Sequence, residues 1–276
     1  MVSSLRVKGA LLSLVLLVVG LGIWELSALS GNEAEAASGY DALVAGAEQT
    51  ARIPPPSKVF ALAAEQLENP FYDAGPNDKG IGIQLLHSLG RVLSGYLAAL
   101  LVAVPVGFVI GMSPLMMRAL DPFIQVLKPI SPLAWMPLAL FLIEDSVASS
   151  VFVIFVCSLW PVLINTAFGV SSVSRDYLNV ARTLEISPIK TAFTVILPAA
   201  APTILTGMRI SIGIAWLVIV AAEMLVGGTG IGYYVWNEWN NLDLAAVLFS
   251  ILMIGVVGML LDGILARAAR AVSYEA

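Results

Sequence analysis

The sequence predicts an all-α integral membrane protein with six transmembrane helices. Three observations predict it. Of 276 residues, 59% are hydrophobic and 12% charged, with mean hydropathy +0.91, whereas soluble domains carry about 25% charged residues. Apolar runs of roughly 20 residues, the length that crosses a bilayer, recur along the whole chain. Most of the charges gather between those runs, where they need not enter hydrocarbon.

The expected spans are 7–29, 84–112, 121–143, 149–171, 203–226 and 244–265. The first opens like a signal peptide, with Arg6 and Lys8 ahead of the apolar run Ala10 to Leu21. The helical pattern continues through Gly22-Ile23-Trp24-Glu25-Leu26-Ser27, longer than a signal-peptide core. Ala34-Glu35-Ala36-Ala37-Ser38 is a weak match to a cleavage site, so a retained first helix is expected over 1–29. Residues 30–82 read as an external cap with little core. There Ile53-Pro54-Pro55-Pro56 is a rigid extended piece, and Ser57 starts a short amphipathic helix from Lys58 to Leu67. Residues 30–50 and 69–80 are rich in Gly, Ala, Asn and Asp and are expected to be mobile. Residues 83–276 form a five-helix core interrupted by a polar loop at 172–201. Prolines lie inside several spans: Pro105, Pro129, Pro132, Pro137 and Pro161. The run Pro129-Ile130-Ser131-Pro132-Leu133-Ala134-Trp135-Met136-Pro137 predicts a break in the third helix. It reads either as a kink absorbed by packing or as a helix whose freed backbone lines a path. No internal repeat is visible.

Charge placement sets an orientation. With the amino terminus inside, Arg6, Lys8, Arg118, Arg175, Arg182, Lys190, Arg209, Arg267 and Arg270 all fall on one side. The 30–82 segment, with eight acids and three bases, falls on the other side with Glu144, Asp145, Glu238 and Asp243. This positive-inside pattern puts both termini and the 172–201 loop in the cytoplasm. The single Cys157 and single His87 exclude an internal disulfide and make a thiolate metal site or a Cys/His hydrolase untenable. His87 reads as a packed or interfacial histidine. Tyr233, Tyr234, Trp236 and Trp239 read as an interfacial belt, with a docking patch for an external protein as the rival.

The 172–201 loop contains Arg175, Asp176, Arg182, Glu185 and Lys190 and must fold outside the bilayer. Tyr177, Leu178, Val180, Ala181 and Leu184 form one apolar stripe on a helix. Ser187 is placed as an N-cap with Pro188 at the first helical position. A second short helix, Ile189 to Ile196, is expected to end near Leu197-Pro198. The segment therefore reads as a helix–turn–helix, either a docking surface for a partner or a helix pair at the headgroup boundary.

Asn179-Val180-Ala181-Arg182-Thr183-Leu184, Leu197-Pro198-Ala199-Ala200-Ala201-Pro202 and Gly207-Met208-Arg209 resemble the EAA loop and following helix of ABC importer permeases. Further matches are Pro55-Pro56-Ser57-Lys58-Val59, Arg91-Val92-Leu93-Ser94-Gly95-Tyr96, Leu120-Asp121-Pro122, the Pro129–Trp135 run, Ala215-Trp216 and Ala221-Ala222-Glu223-Met224-Leu225. Together they resemble the nitrate/bicarbonate/sulfonate branch. Gly227-Gly228-Thr229-Gly230-Ile231-Gly232-Tyr233 and Trp236-Asn237-Glu238-Trp239-Asn240-Asn241 are most similar to cyanobacterial nitrate permeases, with bicarbonate permeases as siblings.

The resemblance implies a type I ABC importer permease fold in the inner membrane. It implies a pathway between two copies of the chain, two cytoplasmic ATPase subunits and an external substrate-binding protein. ATP and Mg²⁺ would sit in the ATPase subunits, and the chain itself is expected to bind no cofactor, metal or nucleic acid. No Gly-x-x-x-x-Gly-Lys-Ser/Thr loop occurs in it. Nitrate or nitrite is the implied cargo, then bicarbonate, then sulfonates. The rivals from other classes are a secondary anion transporter or channel needing no ATPase, and a membrane enzyme, for which no catalytic constellation is present. The implied coupling residues are Asn179, Val180, Ala181, Arg182, Glu185, Ser187 and Pro188. Two positions depart from the family: Asn179-Val180-Ala181 replaces Glu-Ala-Ala, and Glu185 replaces the loop glycine. Either the turn shifts towards Ser187 or the helix runs on through Glu185. A small anion needs hydrogen-bond donors without a strong trap. The path donors expected on that ground are Ser131, Trp135, Trp160, Asn165, Arg209, Ser211 and Trp216, with Ser158 and Thr166 as further donors. Arg209 either neutralises the anion near its exit or snorkels to the headgroups. Glu223 is expected to be a structural partner of a neighbouring helix or loop, because its charge repels an anion.

Overall fold

The structure is a computed structural model and describes residues 2–33 and 53–272. The described residues are helical, apart from turns and one isolated bridge between Asp73 and Lys79. Among the described residues five helices are long and apolar enough to cross a membrane, and a bent helix pair makes a sixth if it counts as one span. The chain divides into two units, Met1–Gly82 with Tyr234–Met253, and Ile83–Tyr233 with Ile254–Ala276.

In the first unit, α1 (Val2–Glu33) carries the span Val7–Ala28, and most of its apolar side chains from Val7 to Leu26 are exposed, as suits a helix solvated by lipid. Helix α2 (Pro56–Glu68) is the predicted amphipathic helix, begun two residues earlier. Pro55 at its N-cap offers no side-chain acceptor. Glu25 of α1 supplies one instead: the Ser57 N–H and Oγ donate to its Oε2 and Oε1 at 3.1 and 2.8 Å, satisfying an orphan donor of the first turn. Val59 is buried while Phe60 and Leu67 stay exposed. Residues 69–80, expected to be mobile, are cross-tied: the Gly80 N–H donates to the Tyr72 carbonyl at 2.8 Å and Lys79 pairs with Asp73 at 3.4 Å. Burial and then the Asp78 hydrogen bond raise the Tyr72 phenol above its usual pKa, and burial followed by Glu238 raises that of Tyr234. Residues 34–52 of the predicted cap lie outside the described residues.

In the second unit, α3 (Ile81–Met112) packs on α6 (Ser146–Ser171) through glycines. A Cβ at Gly107 would lie 2.7 Å from the Leu163 carbonyl, and one at Gly111 2.5 Å from that of Ala167. Only glycine lets the two backbones approach this closely, the small-residue packing that holds helices together in lipid. Between these helices come α4 (Pro114–Leu127), a 3₁₀ turn (Pro132–Trp135) and α5 (Met136–Ile143). Helix α4 starts on Ser113, whose side chain accepts from the Met116 N–H. The two pieces bend by 82° across Lys128–Ser131, so the predicted third span is broken where its prolines cluster. Asp145 then caps α6 by accepting from the Ala148 N–H at 2.6 Å.

Helices α7 (Arg175–Thr183) and α8 (Pro188–Thr191) form the loop, and α9 (Leu197–Val226) follows. The second loop helix does not end at Leu197-Pro198 as expected. A π turn, Ala192–Ile196, joins α8 to α9 in one helical run, Pro188–Val226, of 39 residues. The Leu197 N–H reaches back to the Ala192 carbonyl. This wider turn accommodates Pro198, which has no N–H and whose ring would clash with the preceding turn of a regular helix. At 1.5 Å per residue the run is about 58 Å long, nearly twice the hydrocarbon thickness of about 30 Å, so its start projects from the span. Helices α10 (Ile231–Asn240) and α11 (Leu244–Val272) are the last of the described elements.

Candidate functional site

The loop between α6 and α9 is shaped by its caps. The Ser174 side chain accepts from the Asp176 N–H, and Ser187 accepts from the Lys190 N–H with Pro188 at the first helical position, as predicted. Between them Glu185 adopts φ 53°. The Ile186 N–H donates to the Ala181 carbonyl and the Glu185 N–H to the Arg182 carbonyl, both at 3.0 Å. This is a Schellman closure of α7 with Glu185 in the left-handed position that glycine normally fills. The turn has therefore neither shifted to Ser187 nor been absorbed into the helix. Glu185 holds the glycine geometry at a steric cost.

The apolar stripe of α7 splits across that geometry. Ala181 is buried, and Leu178 is half-buried beside the ends of α3 and α6. Tyr177, Val180 and Leu184, at i, i+3 and i+7, are each about 60% exposed, and Ile189 and Phe193 beyond the turn are exposed as well. Asn179 is exposed, with its carbonyl accepting from Thr183 Oγ1 at 3.0 Å. Arg182 and Pro188, with Arg175 and Ile186, line a cavity of about 450 Å³ beneath the loop. Ala181 is thus a packing residue, and the outward surface consists of its neighbours.

The expected path donors are mostly engaged within the fold. Ser211 Oγ donates to the Ser158 carbonyl at 2.9 Å, tying α9 to α6, and the Trp216 indole N–H donates to the Ile254 carbonyl at 2.9 Å. Asn165 Nδ2 donates to the Pro161 carbonyl at 2.8 Å. Arg209 is held by Asp262 through two hydrogen bonds, the Nη2 to Oδ2 one at 2.6 Å, so its charge is balanced on the spot. Asp262 was missed from sequence, although an acid in the last span was the signal for a cationic partner. Ser131 is exposed at the break, Trp135 is half-buried in the 3₁₀ turn, and Trp160 is half-buried beside a cavity of about 190 Å³. Thr166 is buried against α3. His87 is exposed and lines a surface cavity with Arg91 and Ser94.

Glu223 has the structural role expected of it. It is fully buried and accepts from Arg91 Nη1 at 2.7 Å, from Ser88 Oγ at 2.8 Å and from the Gly232 N–H at 3.0 Å. Ser88 Oγ also accepts from the Ile231 N–H at 2.9 Å, and Gln84 Oε1 from the Gly230 N–H at 2.7 Å. The Gly227–Gly230 turn is thereby bound to α3 and α9. A Cβ at Gly232 would collide with the Val220 carbonyl oxygen, and one at Gly230 with the Glu223 carboxyl. Among the described residues no cluster of His, Cys, Asp and Glu could hold a metal ion.

Comparison with known proteins bears on this arrangement. Residues 103–274 match the family described as "Binding-protein-dependent transport system inner membrane component". The chain is 45% identical over 214 residues to the nitrate import permease protein NrtB of Synechocystis sp., covering 78% of each chain. It is 43% identical over 214 residues to the bicarbonate transport system permease protein CmpB of the same organism, covering 76% of each. The nitrate import permease protein NrtB of Synechococcus elongatus is 38% identical over 277 residues, 99% of this chain and 93% of that one. In structure it is similar to a chain of the inward-facing MetNI methionine ABC transporter, with TM-score 0.61 and 13% identity over 69% of this chain and 95% of that chain. That likeness carries the fold alone.

Proposed function

The chain belongs to the family of binding-protein-dependent transport system inner membrane components, and from that premise we propose that it is the membrane-spanning half of an ATP-driven importer of nitrate or nitrite. At the coarser level it is an ABC permease subunit of the nitrate or bicarbonate branch, a transport component and not an enzyme. Bicarbonate is the alternative cargo, and nitrate is preferred on the run from Gly227 to Asn241. ATP and Mg²⁺ belong to two cytoplasmic ATPase subunits, a binding protein delivers the anion from outside, and two copies of the chain enclose the path.

The observation that carries this reading is the exposed edge Tyr177, Val180 and Leu184 on a capped helix outside the spans. Apolar side chains at i, i+3 and i+7 are the anchors a helix presents to a partner's groove. Both helices of the loop are capped, its turn is hydrogen-bonded, and its second helix runs on into α9. Movement of a docked ATPase would therefore be transmitted to α9 directly, with energy entering as the ATPase pair's differential affinity for two permease conformations. The excess of Lys and Arg at the loop and both termini supports a cytoplasmic placement.

The test is uptake of labelled nitrate and labelled bicarbonate into vesicles by the assembled transporter. Saturable, ATP-dependent nitrate uptake that unlabelled nitrite inhibits and bicarbonate does not is the expected result. The reverse pattern moves the chain to bicarbonate, and ATP-dependent uptake of neither anion refutes the oxyanion reading.

A further inference from the structure

We propose that Lys128 and Trp160 form the anion-contacting site of the translocation path, at the break of the third apolar segment. This rests on the reading of the chain as an oxyanion permease and names the contact within it. Lys128 follows the last residue of α4, between Leu127 and Pro129, where the segment turns by 82°. It lines a cavity of about 190 Å³ together with Ile130, Pro132, Cys157, Trp160 and Ile214.

The level of that cavity follows from the helices beside it. Cys157 and Trp160 lie about 17 and 21 Å along α6 from Ser146, and Ile214 lies about 18 Å along α9 from Val226. Two independent helices therefore place it near the middle of a hydrocarbon layer about 30 Å thick. An ionised side chain at such depth is costly and marks a path when no structural partner neutralises it. Two cations within the long spans of this unit have such partners: Arg91 has Glu223, and Arg209 has Asp262. Lys128 has no carboxylate or hydrogen-bond partner for its ammonium among the described residues, and it is exposed at the break.

The site's chemistry is that of an anion contact. An ammonium and an indole N–H are donors, and no carboxylate lines the cavity. The Trp160 indole makes no hydrogen bond with the described residues, in contrast to Trp216, whose indole is taken by the Ile254 carbonyl. The volume falls below the roughly 300–1,000 Å³ of drug-sized ligand pockets and is of a size for a small oxyanion. One mobile ammonium on a flexible stem holds an ion without trapping it, as a path requires. A broken helix at mid-depth is also where membrane transporters place such contacts.

The experiment compares Lys128→Met, Lys128→Gln and Lys128→Arg with the unaltered chain in the assembled transporter in vesicles. The readout is anions carried per ATP hydrolysed, for labelled nitrate and labelled bicarbonate. Loss of a charge-assisted contact is expected to lower that ratio about 10- to 100-fold in the Met and Gln variants, with the Arg variant retaining most of it. Should the Met variant fail to assemble, the Gln and Arg pair carries the same comparison. A ratio unchanged by Met or Gln overturns the site and assigns Lys128 to lipid headgroups, while the oxyanion reading stands. Failure of the unaltered chain to carry either anion refutes that reading itself and the site with it.

Discussion

Two ion pairs in the same helical unit differ in almost every respect. Arg91 and Glu223 are nearly sealed from solvent, at 9% and 0% side-chain exposure, and the carboxylate also accepts from Ser88 and Gly232. Arg209 and Asp262 are half-exposed, at 47% and 48%, and among the described residues bind only each other. The first is a lattice point at which a helix, a glycine turn and a second helix meet. The second is a local neutralisation that lets two charges share an apolar environment. The difference teaches how to read charge in this chain: a span charge with a built partner is architecture, and one without is a candidate for contact with cargo.

The largest expected effect breaks the sealed pair. Glu223→Ala leaves the Arg91 charge buried and uncompensated, which costs roughly 3–5 kcal/mol. It should appear as a large fall in the melting temperature of the detergent-solubilised chain, and an unchanged melt contradicts the lattice role. Gly232→Ala attacks the same lattice through the backbone, forcing a Cβ into the Val220 carbonyl, with an expected cost of about 1–3 kcal/mol. Next comes the loop. Val180→Asp places a charge on the exposed edge and should lower uptake per ATP about tenfold while changing the chain's own stability by less than about 0.5 kcal/mol. Equal coupling in that variant sinks the docking role of the edge. Glu185→Gly relieves the left-handed backbone and should stabilise the chain by about 0.5–1 kcal/mol, partly offset by the freer unfolded glycine. The smallest shift belongs to the paired replacement Arg209→Met with Asp262→Leu, which removes both half-exposed charges together. Its melting temperature should stay closer to that of the unaltered chain than Glu223→Ala, and a larger fall would erase the distinction between the two pairs.

Much of the fold was legible because lipid imposes simple rules. Hydropathy and the placement of Lys and Arg located the spans and the loop, and the proline cluster at 129–137 located the break. The Ser187 cap with Pro188 was readable because that chemistry is local. What escaped depended on hydrogen bonding beyond the local pattern. Pro198 read as a helix stop because nothing in its neighbours announces the π turn that carries the helix past it. Glu185 read as a departure needing a different turn, whereas the Schellman bonds hold the usual one. The expected path donors Asn165, Ser211 and Trp216 are spent on backbone carbonyls, one within α6 and the other two between helices, which composition does not reveal. Asp262 explained Arg209 only once α9 and α11 were in place. Lys128 was hidden by the opposite error, lying in full view inside an apolar segment whose prolines drew the reading.

The most direct test of the account is uptake by vesicles holding this chain alone against vesicles holding it with its ATPase subunits, binding protein and ATP. The account predicts no saturable nitrate or bicarbonate uptake by the chain alone and uptake that begins only when the ATPase and ATP are both present. Uptake by the chain alone, at a rate indifferent to ATP, would contradict the permease reading and establish a channel or secondary transporter in its place.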